Sequence, residues 1–82
     1  MSKKIKLIWE FRGPFAAKTA THHEIHLKEY ITTRNLTLKI TGTESYNENI
    51  TIAYIVVKES EMIAVRDELK PQRGELYDDP FN

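Results

Sequence analysis

All three histidines of the chain, His22, His23 and His26, fall inside five positions. Imidazole is the side chain that both ligates borderline metals and exchanges protons near neutrality, so their arrangement decides which chemistry is open. On a helix, with about 100° between successive residues, His22 and His26 stand one above the other. Two imidazoles at that spacing can share a metal ion, and Glu29, further along the same flank, is a candidate third ligand. The metalloprotease pattern H-E-x-x-H is absent, because only one residue separates Glu24 from His26. His23 points elsewhere, into a stripe with Ala20 and Leu27. It is either a core histidine or a general acid/base at a helix–sheet boundary. Burial disfavours the imidazolium, so His23 is expected to titrate below the ordinary value of about 6.5, unless a carboxylate such as Glu10 lies close enough to reverse the direction. Trp9, Tyr30 and Tyr54 are the aromatic residues placed to line a ligand pocket beside it, though such positions also serve as plain core.

These residues need elements to hold them. Ile5, Leu7, Trp9 and Phe11 alternate with Lys6, Ile8 and Glu10, which predicts a half-buried strand. Gly13-Pro14 then breaks the strand and suits a helix start. From Pro14 to Thr33 the spacing predicts a helix with Ala16, Ala20, His23, Leu27, Tyr30 and Ile31 on its buried stripe and Asn35 as terminator. Leu36, Leu38 and Ile40 alternate with polar residues as a second strand, and Gly42 to Asn49 is polar and turn-like. Residues 50–57, ITIAYIVV, are apolar on both faces, the mark of a central strand covered on both sides. Ser60 is placed to cap a second helix carrying Met62, Val65, Arg66 and Leu69, which Pro71 stops. Residues 72–82 read as a loose acidic tail in which only Glu75-Leu76-Tyr77 is suited to an edge strand.

The order β-α-β-β-α(-β) predicts one α+β domain of the ferredoxin-like class, an antiparallel sheet with two helices on one face. Two helices cover one face only, so a second copy is expected on the other, through Ile8, Ala53, Ile55 and Val57. Twelve basic residues balance twelve acidic ones, without the basic stripe that nucleic acid requires. No cysteine is present, which excludes disulfides and thiolate chemistry. The N-terminal stretch lacks an apolar signal core and no apolar run approaches about 20 residues, so the expectation is a cytoplasmic protein with no membrane partner and no cofactor.

The element order, with His23-Glu24-Ile25-His26-Leu27, Asn35-Leu36, Gly42, Ala53-Tyr54-Ile55-Val56-Val57, Pro71 and Gly74, resembles the YciI-like (YCII-related) group of small dimeric α+β barrel proteins. The similarity spans roughly residues 5–74. It implies the ferredoxin-like fold, a homodimer and a site histidine at His23. Ala20 stands where that group carries an arginine and Lys70 where it carries an acid. Two readings follow. In one, the chain is a non-catalytic homodimeric module with structural histidines. In the other, it is a small enzyme or ligand-binding barrel, of unknown substrate, using His23 as acid/base.

Overall fold

The computed structural model describes residues 3–77. Its elements are β1 (Lys4–Arg12), α1 (Ala16–Arg34), β2 (Ile40–Asn47), β3 (Ile50–Lys58), α2 (Glu59–Leu69) and β4 (Arg73–Leu76). The four strands form one antiparallel sheet in the order β2-β3-β1-β4. This is the expected α+β arrangement, consistent with a ferredoxin-like fold. Arg73–Leu76 is therefore a strand and not part of a loose tail, because Ile5 to Ile8 offer it a free edge to pair with. Residues 78–82 lie outside the described residues.

The long helix follows its apolar stripe: Ala16, Ala20, Leu27 and Ile31 are buried, with His23 and Tyr30 half-buried among them. Small residues at 16 and 20 let the helix lie close to the sheet. Gly13, at φ 112°, makes the turn from β1 that L-residues with a Cβ resist. Asn35 ends the helix in the left-handed conformation at φ 54°, with its N–H donating back to the Ile31 and Thr32 carbonyls. The second helix starts earlier than Ser60. Lys58 is its N-cap residue, and the Glu61 carboxylate accepts the Lys58 N–H at 3.2 Å, as in a capping box. Lys70 closes it at φ 50°, ahead of Pro71.

Strand β2 lies further along the chain than the alternation of Leu36, Leu38 and Ile40 suggests. It runs through the polar segment to Asn47, and only Glu48 and Asn49 form the turn. Pairing with the apolar β3, from Ile40 opposite Val56 to Asn47 opposite Ile50, outweighs the turn propensity of Gly42 to Asn47.

Register fixes which side chains share a face. Leu7 lies opposite Ile55 and Trp9 opposite Ala53, and these pack with Val57, Ala20, Leu27, Ile31 and Val65 under the helices. Ile8 lies opposite Tyr54, Lys6 opposite Val56 and Glu10 opposite Ile52, so these six occupy the outer face. Ala53, Ile55 and Val57 thus belong to the helix side, one residue out of phase with the expected outer face. A strand apolar on both sides carries no alternation of its own, and its register with β1 sets the phase.

The outer face is roofed by its own long side chains. Tyr46 and Arg73 belong to the two edge strands, yet the Arg73 guanidinium donates to the Tyr46 hydroxyl at 3.4 Å, so they meet above the central strands. Arg73 also pairs with Glu10 at 3.4 Å, and the Lys6 ammonium sits 4.3 Å from the centre of the Tyr54 ring and 3.8 Å from Glu44. Beneath this layer Ile8 is 1 % exposed and Ile52 and Val56 are 0 % exposed. β3 is consequently core on both sides within a single chain.

Candidate functional site

His23 rests on the helix side of β1. Its ring centre is 4.8 Å from that of Trp9 and 5.5 Å from that of Phe11, tilted by 56° and 59°. These are the tilted geometries in which aromatic quadrupoles attract. Its Nε2 is buried and has no hydrogen-bond partner among the described residues. Protonating that nitrogen would leave a charged N–H buried without an acceptor among the described residues. Burial is the first cause that pulls the His23 pKa below its ordinary value, and charge on His26 adds to it. Glu10 does not reverse the direction. It lies on the outer face, where the Arg12 guanidinium, at 2.7 Å, holds its carboxyl below the usual carboxylate range and Arg73 contributes further.

The three aromatic residues expected around a pocket are not brought together. The Trp9 indole N–H donates to the Leu69 carbonyl at 3.2 Å, tying β1 to the end of α2. The Tyr30 hydroxyl donates to Glu68 at 3.0 Å, and Arg34 pairs with the same carboxylate, tying α1 to α2. Burial, then the Glu68 carboxylate, push the Tyr30 pKa up. Tyr54 is on the other side of the sheet, packed over Gly42 and under Lys6, and burial first of all raises its pKa. Trp9 and Tyr30 therefore fasten helices, and Tyr54 roofs the outer face.

The flanking histidines do come together. The Nε2 atoms of His22 and His26 are 3.2 Å apart, with the rings edge to face at 4.8 Å. Glu29 is not a third member of that pair. Its carboxylate lies 3.2 Å from Nδ1 of His26, on the far side of the ring. No group of three or more metal-ligating side chains occurs among the described residues.

A further feature of the surface has no motif of its own in the sequence. A groove of about 480 Å³ runs along the seam of α2 and β4, with Ile5, Leu7, Met62 and Leu76 as apolar lining and Arg66 and Gln72 among its polar residues. Gly74 lets β4 approach Leu7, since a Cβ there would lie 3.2 Å from Leu7 Cδ2. The only signals for it were Glu75-Leu76-Tyr77 as an edge strand and Arg66 on the apolar side of α2. Comparison with family models, curated proteins and solved structures gave no match to this chain. Among the described residues no helix is long and apolar enough to cross a membrane.

Proposed function

We propose that this chain is a non-catalytic homodimeric module of the YciI-like type, with His23 in a structural role and the outer face of the sheet as the surface that meets a second copy. The observation that carries the reading is the setting of His23. A general acid/base must exchange its proton with a reacting group, whereas here one ring nitrogen is buried without a partner among the described residues and the ring packs on Trp9 and Phe11. The element order and the residues shared with the YciI-like group support a dimer, as does the character of the outer face. It offers tyrosine rings and arginine, which are enriched at interfaces. It also presents both signs of charge, in Lys6, Glu10, Glu44 and Arg73, as a two-fold contact between identical patches requires.

Sedimentation equilibrium tests the dimer. The expected mass is about 19 kDa, twice the 9.6 kDa of one chain, and Tyr46→Glu is expected to shift it toward the monomer. A monomer mass at 100-micromolar-order concentration rules the dimer out. The groove beside α2 favours a second reading, binding of a small apolar acid with its carboxylate on Arg66. A ligand of that kind raises the melting temperature of the wild type and not of Arg66→Ala; no shift with any such acid eliminates it.

A further inference from the structure

We infer that His22 and His26 form a two-imidazole site for a borderline divalent metal ion of the zinc, nickel and copper class, with Glu29 as its outer-shell carboxylate. A zinc ion holds imidazole nitrogens at about 2.0–2.1 Å, so two of them are about 3.3–3.4 Å apart at a tetrahedral angle and about 2.9 Å apart at a right angle. The two Nε2 atoms stand 3.2 Å apart, between those limits. Little movement is needed to admit the ion, and both rings are exposed to solvent.

Protonation supports the same assignment. An imidazole that donates from Nδ1 to a carboxylate leaves its Nε2 lone pair free for a metal, the arrangement of carboxylate–histidine–metal triads. Glu29 stands at that position on His26 Nδ1, at 3.2 Å. In the metal-free chain a single proton between the two Nε2 atoms serves the same geometry, and the ion displaces it to solvent. Two protein ligands leave the remaining coordination positions to water, so the site is open and of moderate affinity. Carboxylates elsewhere on the helix are engaged otherwise: Glu24 accepts from the Thr41 hydroxyl at 3.0 Å and lies 3.8 Å from Lys28.

The experiment is a titration of the full chain with zinc chloride, followed by nitrogen-edited NMR of the histidine rings and by calorimetry. Both His22 and His26 ring signals are expected to move together in a one-to-one complex while the His23 ring stays in place. His22→Ala and His26→Ala, checked for folding by circular dichroism, each abolish the heat. Glu29→Gln weakens binding about tenfold, the low end for outer-shell partners because this one is exposed. Heat that survives either histidine substitution, or no binding at millimolar zinc, overturns the site. Unchanged affinity in Glu29→Gln overturns the role given to Glu29.

Discussion

Gly42 lies opposite Tyr54 in the β2–β3 pair, and the two residues form a coupled unit that can be measured. A Cβ at position 42 would stand 2.4 Å from the Tyr54 hydroxyl oxygen, 2.6 Å from Cζ and 2.9 Å from Cε2, so Gly42→Ala must lift the ring. Lifting the ring away from Lys6 loses about 0.5–1 kcal/mol of cation–π attraction. Returning roughly 40–60 Å² of apolar ring surface to water costs about 1–1.5 kcal/mol. Against this, alanine in a strand gains about 0.5–1 kcal/mol over glycine from the unfolded chain, as this position does not need a positive φ. Gly42→Ala is therefore expected to destabilise the wild type by about 1 kcal/mol and to stabilise a Tyr54→Ala background by about 0.5–1 kcal/mol, a coupling of about 2 kcal/mol. Urea unfolding reports it through the fluorescence of the sole tryptophan, Trp9, which is buried on the opposite side of the sheet and does not touch either change. Equal effects in the two backgrounds, or a stabilised single variant, would refute the packing argument.

Four further outcomes follow from the same geometry. His23→Ala should lose about 1–2 kcal/mol in urea melts, as two aromatic contacts outweigh relief of the unpaired nitrogen, while His23→Phe should be near neutral or up to about 1 kcal/mol more stable. A folded pKa below the unfolded one means that the His23 contribution is present above about pH 6.5 and is lost as pH falls through the folded value, so the urea midpoint declines with acid there and declines less in His23→Phe. Ile52→Ala should cost about 2–5 kcal/mol despite its place on the face without helices; a loss below about 1 kcal/mol would show that the roof of long side chains does not seal that face. Glu68→Gln should lower stability by less than about 1 kcal/mol, because its ion pair with Arg34 is largely exposed, and a larger thermal shift would assign the Tyr30–Glu68–Arg34 junction a greater share in docking α2.

The periodic parts of the chain were legible. Ile5, Leu7, Trp9 and Phe11 read as one face of a strand, and Ala16, Ala20, Leu27 and Ile31 as the buried stripe of a helix, because each element has one wet side that its pattern records. Residues 50–57 revealed their central place for the same reason and concealed their phase, which pairing with β1 decides. β2 was displaced because its residues are polar and turn-prone, and a partner strand distant in sequence holds them extended. At the candidate site, helical spacing correctly separated His23 from His22 and His26. It did not reveal that Tyr54 lies across the sheet from Trp9, that Glu29 reaches the far nitrogen of His26, or that β4 closes a groove with α2. Each of these depends on register or on side-chain direction, which composition does not carry.

The proposed structural role requires His23 to be a packed, neutral imidazole rather than a proton-exchanging one. Ring-detected NMR titration of His23 in the wild-type chain, with Trp9 fluorescence followed in the same samples, tests this most directly. The midpoint is expected below the ordinary value of about 6.5, with Trp9 emission falling over the same acid range as the imidazolium forms against the indole. A midpoint at or above that value, with Trp9 emission indifferent to it, would contradict the structural role assigned to His23 and restore the acid/base reading.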